Sequence, residues 1–356
     1  MPPSGCRPLC SAARSTVRAP QQTLVVEDGL AGVRLAEYLE HVWPHADRKE
    51  LRRLVRDGLA TVNGADAVPN QRLRVGDLVL VAIEGPPAPR RGADAGQARE
   101  RSFCAEDLPL LAEDESCLIV DKPAGLPCVP DRFGRTAGVH GLLTALRPDD
   151  DLRIAHRLDR FTSGCLALAK GLEGARWLDE QLRARTVQKT YLALVDGVLR
   201  RDAGTIEKAL GPDPRRPGKV MVVQKDARGA REALTEYRVL ERFRAHTLVE
   251  CRPRTGRGHQ LRVHLAHLGH PIVADEDYGA SGPLRLSDLK HGYKARKGQR
   301  ERALLDRMFL HAAAIEIPTR SGGILRAESP LPSDLALALE KLRRFAAGAE
   351  LAAPDD

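Results

Sequence analysis

An acid set between two arginines is the first place in this chain where chemistry can be sought. The string His156-Arg157-Leu158-Asp159-Arg160-Phe161-Thr162-Ser163-Gly164 runs on through CLALAK to Lys170. Guanidinium groups beside Asp159 favour its ionised form. A carboxylate held that way can act as a nucleophile or as a base. The same residues would also make a structural ion pair in a turn before a strand, and for Arg-x-Asp-Arg in isolation that is the reading to prefer.

Three further strings carry donors, aromatics or tight turns. Arg254-Thr255-Gly256-Arg257-Gly258-His259-Gln260-Leu261-Arg262-Val263-His264 continues through LAHLGHPIVADEDYG to Gly279. Its glycines and donors read as an anion-contacting loop, but the lysine and spacing of a P-loop are missing, which excludes a nucleoside triphosphate site of that type. His264, His267 and His270 recur every three residues in an apolar, helix-like setting without a nearby Cys or a consistent carboxylate. That pattern fits core or capping histidines, not a zinc site. Asp121-Lys122-Pro123-Ala124-Gly125-Leu126 reads locally as a strand ending in a turn. Lys189-Thr190-Tyr191-Leu192-Ala193-Leu194-Val195 brings a tyrosine into a strand, where it is core unless it faces a nucleobase on which it can stack.

The elements that must position these strings are legible as runs. Strands are expected at Cys117–Val120, Cys165–Ala169, Tyr191–Val195, Val220–Val223 and Thr247–Glu250, and helices at Gly174–Arg185 and around Leu335–Phe345. Strands joined by short turns with a few helices between them indicate an α+β domain over 103–345, built on a mixed, largely antiparallel sheet with flanking helices. A smaller α/β module precedes it over 23–84. There, Leu35, Tyr38, Leu39, Val42 and Trp43 recur at helical spacing, and Pro44 ends that helix. Asp47 then stands three residues before Glu50, as in a capping arrangement. The helix it opens has Leu51, Leu54 and Val55 on its apolar face. Arg48, Arg52 and Arg56 line another face, with Lys49 and Arg53 beside them. Gly58 closes it, and strands Leu59–Val62 and Leu78–Ile83 follow, with turns at Asn63-Gly64 and Gly76-Asp77. A Pro-, Gly-, Ala- and Arg-rich linker is expected over 85–102, a basic leader over 1–22 and a tail over 346–356. For the leader, disorder is preferred to a transit peptide.

Composition narrows the classes. Apolar residues at 42% and charged residues at 29% fit a soluble globular protein, and 356 residues can bury a sizeable core. No apolar run is long enough for a transmembrane helix, so no membrane partner is expected. The seven cysteines are odd in number and scattered, which fits reduced thiols in a cytoplasmic protein. The net charge of +8 favours a polyanionic partner. Between Lys290 and Arg302 six of thirteen residues are Lys or Arg, a basic insertion that is either a contact for a polyanion's phosphates, the preferred reading, or a solvated loop.

Two resemblances give the strings roles. GVRLAEYL, DRKELRRLVRDGLATVNG and RLRVGDLVLV look like an S4-type RNA-binding module, which makes Arg48, Lys49, Arg52, Arg53 and Arg56 its candidate phosphate contacts. DKPAGL, HRLDRFTSG, KTYLALV, Ala233-x-Thr235-x-Tyr237, the RTGRGHQLRVH block and FLHAAAI around His311 together resemble the RluA-type family of pseudouridine synthases. The resemblance implies that Asp159 is the catalytic aspartate, Tyr191 the residue packing on the target base and Arg262 the basic partner of Asp159. It makes Arg157 the residue that helps displace the target nucleotide. It implies isomerisation of uridine in RNA without a cofactor, a metal or a nucleotide cofactor, by a monomer. Large-subunit ribosomal RNA is the preferred substrate and tRNA the runner-up. The competing reading is a non-catalytic RNA-binding ribosome assembly factor. Two departures from the family pattern, Ala274 before Asp275 and Cys128 after DKPAGL, are expected to lie away from the chemistry.

Overall fold

The computed structural model describes residues 21–26, 32–43, 46–83, 103–129, 137–216, 218–279, 282–294 and 301–348. The leader up to residue 20, the linker, residues 295–300 of the basic insertion and the tail from 349 lie outside them. The chain divides into two compact units, residues 1–100 and 101–356. Among the described residues no helix is long and apolar enough to cross a membrane.

The first unit is built from β1 (Gln21–Val25), α1 (Leu35–Val42), α2 (Arg48–Arg56), β2 (Ala60–Val62), β3 (Ala65–Asp66) and β4 (Leu78–Ala82). Its antiparallel sheet has the order β1-β4-β2-β3, so β1 begins two residues inside the expected leader. Leu35, Leu39, Leu51 and Val55 are buried as their spacing requires. Asp47 Oδ1 accepts the Glu50 N–H at 3.3 Å and caps α2. Asn63 and Gly64 both take positive φ, the geometry of a two-residue hairpin turn. Asn63 also donates to Asp77 Oδ1 at 2.9 Å, so the Asn63-Gly64 and Gly76-Asp77 turns are one linked corner.

The second unit opens with β5 (Leu110–Glu113), β6 (Cys117–Lys122), α3 (Gly138–Leu146), β7 (Leu152–Ile154), β8 (Ser163–Lys170) and α4 (Gly171–Ala184). It continues with β9 (Gln188–Asp196), β10 (Ala203–Glu207), β11 (Leu210–Pro212), β12 (Val220–Val222), β13 (Leu234–Arg242), β14 (His246–Pro253) and α5 (Gln260–His267). Last come β15 (Leu284–Arg285), α6 (Leu286–Leu289), β16 (Ala303–Leu305), β17 (Leu310–Pro318), β18 (Ile324–Glu328) and α7 (Ser333–Phe345). Ten of these strands form one mixed sheet, with the path β10-β13-β14-β9-β17-β8-β6-β5 and with β18 on β17 and β7 on β8. The architecture is α+β, as expected. Past α7, Ala346 is buried and Ala347 bridges Phe243, so the first tail residues belong to this unit.

The one parallel pairing in the large sheet, β8 with β17, sets the site. It joins His311 to Ser163 and Ala312 to Gly164, while Ala312 also faces Tyr191 on β9. Gly164, Ala312 and Tyr191 therefore lie in one row across three strands. The loop carrying Asp159 enters β8 at the head of that row. Gly164 has a φ of +109°, and a Cβ there would lie 2.2 Å from the Ala312 carbonyl oxygen. Only glycine allows the two strands to approach this closely.

Candidate active site

The loop from His156 to Thr162 is pinned residue by residue. His156 Nε2 accepts the Ala167 N–H at 3.1 Å. Cys128 Sγ donates to the Leu158 carbonyl and accepts from the Leu158 N–H, both at 3.3 Å. The Lys122 ammonium is fully buried and donates to the carbonyls of Pro123, Leu126 and Arg160 at 2.9, 2.8 and 3.0 Å. Burial pushes its pKa down to about 8, so it stays mostly protonated at neutral pH and keeps all three donors. The Gly125 N–H reaches the Arg160 carbonyl at 2.8 Å, and the Thr162 N–H reaches the Asp159 carbonyl at 3.0 Å. The DKPAGL turn is thus more than a strand end, because it holds the backbone on which Asp159 stands. Cys128 lies closer to the chemistry than expected, since it latches the residue before Asp159.

Asp159 projects from this loop towards α5. Its Oδ2 accepts from Arg262 Nη1 at 3.1 Å. Arg262 is anchored elsewhere: Nε and Nη2 bind both oxygens of buried Asp275 at 2.7 Å, and Nη2 also reaches Asp277 at 2.8 Å. Burial opposes the Arg262 charge, but Asp275 first, then Asp159 and Asp277, outweigh it and raise its pKa above the usual arginine value. Lys219 Nζ shares Asp277 at 2.6 Å. Burial would raise the Asp277 pKa, but Lys219 and Arg262 bring it down. The guanidinium fork is fixed by Asp275 and Asp277, and one nitrogen is left for Asp159. A carboxylate held by a single such bond and 26% exposed has its other oxygen left to reach a substrate atom.

The second string supplies the scaffold for Arg262. Gln260, at the start of α5, is buried. It accepts from the Thr255 hydroxyl at 2.7 Å and donates to the Leu234 carbonyl and Thr235 Oγ1, both at 3.0 Å. Thr235 also pairs with His264 Nδ1 at 2.9 Å, while His264 Nε2 contacts the Lys208 carbonyl at 3.1 Å. His264 is thus a core histidine with both nitrogens engaged. The loop is a brace and not the anion contact its composition suggests, because Arg254 forks onto Glu236 and Arg257 donates to the Glu232 carbonyl. Ala274 takes a φ of +59° next to the carboxylate that anchors Arg262. The family pattern favours glycine here for that backbone conformation, so this departure too touches the shell of the site.

Sequence reading gave no role to His259 or Tyr278. His259 has a φ of 54°, which turns its ring to within 3.9 Å of Asp159 Oδ1. Its Nδ1 lies 2.8 Å from the Tyr278 hydroxyl, which also accepts the Val220 N–H at 3.0 Å. With Tyr278 donating to Nδ1, the neutral imidazole keeps its hydrogen on Nε2, the atom facing Asp159. Burial lowers the His259 pKa and so favours that neutral ring. The Arg262 guanidinium lies 4.9 Å from the centre of the Tyr278 ring, a cation–π contact. Asp-x-Asp-Tyr at 275–278 was on view in the sequence, but only the fold aims it at Arg262.

The remaining expected residues are distributed as follows. Tyr191 is half-buried and packs on the core. Burial first, then the charge of Asp159, raises its pKa, so it faces the site as a neutral phenol. Arg157 is exposed on the same loop as Asp159. Asp159, Arg262 and Tyr191 come together, whereas the α2 cations belong to the other compact unit. Arg52, Arg53 and Arg56 are exposed there, with Arg53 paired to Asp57 at 3.2 Å. Arg48 and Lys49 lie in α2, but their side chains are outside the described part.

Comparison with known proteins matches this chain to a family. The family model for RNA pseudouridylate synthases matches residues 116–267, which contain Asp159, Tyr191 and Arg262. Ribosomal large subunit pseudouridine synthase D of Nitrosomonas europaea is 36% identical over 95% of this chain and 93% of its own. Synthase C of Escherichia coli is 34% identical over 88% and 94%. The solved structure of human RNA pseudouridylate synthase domain containing 4 covers 67% of this chain and 95% of its own, with a TM-score of 0.51 and 26% identity. The chain belongs to the RluA-type family of RNA pseudouridine synthases, isomerases that convert uridine to pseudouridine in RNA.

Proposed function

We propose that this isomerase acts on uridines of large-subunit ribosomal RNA, in the cytoplasm, with Asp159 as the carboxylate that attacks the nucleoside. The observation that carries the residue assignment is the 3.1 Å contact between Asp159 and an arginine fixed by two other carboxylates. The reaction breaks N1–C1′, turns the uracil and joins C5 to C1′. The C5 proton is lost and N1 gains one, so no redox step or group donor is needed. Asp159 either bonds to C1′ or removes a proton from C2′, and both routes need it ionised. Arg262 supports that charge. Tyr191, kept neutral, stacks on the detached uracil as it turns. Arg157 occupies the space left by the displaced nucleotide and offsets part of the few kcal/mol that extrusion costs, on the order given for flipped bases.

The ribosomal target rests on the names of the relatives, which span nearly their whole length in this chain; transfer RNA is the second substrate to test. The first unit is read as an S4-type module that meets RNA phosphates through α2. Two measurements test these readings. Asp159→Asn should abolish pseudouridine formation while leaving RNA affinity within a few-fold, and retained turnover would remove Asp159 from its role. Mapping pseudouridines in total RNA with and without the protein should show lost sites in large-subunit ribosomal RNA. Lost sites confined to transfer RNA would reassign the substrate.

A further inference from the structure

Aromatic residues make up only 4% of this chain, yet one of them is displayed two residues from Asp159. Phe161 is 50% exposed and is the one aromatic among the exposed large hydrophobics of the described residues. Phe243 and Phe309, by contrast, are buried. The exposure is not that of a loose loop. The Phe161 carbonyl accepts from Arg307 Nη1 at 3.3 Å, and Arg307 forks onto Asp334 of α7 at 2.6 and 2.9 Å. On one side the Arg160 carbonyl is held by Lys122 and Gly125. On the other, Thr162 and Ser163 are buried at the entry to β8. The backbone is fixed on both sides of a ring that the core does not take in.

The ring's surroundings say what it fits. The Arg160 guanidinium lies 5.7 Å from its centre, and Arg160 Nε is held by the Gly125 carbonyl at 2.8 Å. Arg157, also exposed, stands on the same loop. An aromatic face bordered by cations is the composition that binds unpaired nucleic acid, because every base offers a π-face and every nucleotide a phosphate. Phe161 stands two residues from Asp159 and is exposed, within reach of a polynucleotide that reacts at that carboxylate. When a uridine leaves its stack, the adjoining base loses a neighbour, and an exposed ring beside the reacting carboxylate can replace it.

We propose that Phe161 is a stacking platform for the nucleobase next to the extruded uridine, with Arg160 and Arg157 as its cationic border. It is a positioning contact, distinct from the stacking of the target uracil on Tyr191, and it rests on the reading that uridine reacts at Asp159. Stacking tolerates any base, so the platform holds the strand without selecting its sequence.

The test uses the full chain and the RNA that the wild type modifies, an unmodified large-subunit ribosomal transcript first and unmodified tRNA transcripts second. Phe161→Leu keeps an apolar side chain but removes the π-face. It should raise KM about tenfold, with kcat within about twofold, in the range set by base–aromatic stacking. Phe161→Trp should stay within about twofold of the wild type in both. Urea midpoints for both variants should match the wild type, because the core does not hold the ring. In an Asp159→Asn background, which binds without turnover, Phe161→Trp should show fluorescence quenching by the RNA beyond the background of Trp43 and Trp177. Wild-type KM in Phe161→Leu, or no added quenching in Phe161→Trp, overturns the platform. Failure of the Asp159 reading would appear separately, as turnover by Asp159→Asn.

Discussion

At the scale of single residues, the site is a charge arrangement built around one guanidinium. Asp159, Asp275 and Asp277 converge on Arg262, with Lys219 sharing Asp277, so the carboxylates exceed the cations by one. Asp275 takes two bonds from Arg262 and Asp277 is shared with Lys219, whereas Asp159 is held by a single bond to Arg262, which suits it to the proposed attack. Arg262→Lys keeps a cation but loses the fork, and one ammonium cannot hold Asp275 and Asp277 while reaching Asp159. The variant should fold and lose turnover by on the order of 100-fold, the scale for removing one preorganised electrostatic donor. RNA binding should change far less, and turnover within a few-fold of wild type would show that Arg262 is not needed as Asp159's partner. Tyr278→Phe leaves the Val220 N–H and His259 Nδ1 without their shared oxygen. Urea denaturation should show a loss of about 1–3 kcal/mol, and turnover should fall because His259 is no longer aimed at Asp159. The sequence made Asp159, Arg262 and Tyr191 legible because each stands in a string whose residue types recur together in one family. It hid His259, Tyr278, Asp275 and Asp277 because their work depends on a contact spanning 103 residues and on backbone conformations at 259 and 274 that no local pattern announces.

At the scale of elements, the site depends on strand order. Strands at 117–122, 163–170, 188–196 and 246–253 were readable in the sequence through their apolar stretches at 117–120, 165–169, 191–195 and 247–250. Their neighbours were not, because β17 is inserted from late in the chain between β8 and β9. That insertion puts Gly164, Ala312 and Tyr191 in one row and so fixes the distance between the Asp159 loop and Tyr191. Nine-residue β13 and β17 went unread along with the short β10, β11, β15 and β16, because charged residues and alanines break up any continuous apolar run in the two long ones. Gly164→Ala tests the row. A methyl 2.2 Å from the Ala312 carbonyl oxygen, at a φ few side chains adopt, must push β8 and β17 apart. The loss of stability should be about 3 kcal/mol or more, in the upper range for strain at a special backbone position. The same methyl at Gly256, which has nothing within 4 Å and no left-handed φ, should cost well under 1 kcal/mol, as at ordinary surface positions. Equal midpoints for the two alanine variants would mean that the β8–β17 approach is not the tight point of the sheet.

At the scale of the molecule, stability and RNA affinity should respond to different solution variables. Burial, as the largest cause, lowers the pKa values of His156, His246, His259, His264 and His311. The folded chain therefore binds fewer protons than the unfolded chain between those lowered values and the ordinary 6.5. Stability is full above about pH 6.5 and falls as the pH drops through that window. Glu113, brought to about 2 by Arg147 first and then Lys170, belongs to a second, more acid stage, where stability present above about pH 4.5 is lost towards its folded value. Urea midpoints taken from pH 8 to about pH 2.5 should decline in that order, and a midpoint flat from 6.5 to 5 would contradict the histidine assignment. Salt should act on RNA binding instead. Residues 101–356 form their own compact unit and contain Asp159, Arg262 and Tyr191, so deletion of 1–100 should leave kcat within a few-fold and raise KM about tenfold or more if α2 meets phosphates. Each lost phosphate contact should also flatten the plot of log affinity against log salt by about 0.7–0.9. If the deletion leaves the salt slope unchanged, the first unit does not bind RNA through its charge, and the +8 of the chain acts through the catalytic unit alone.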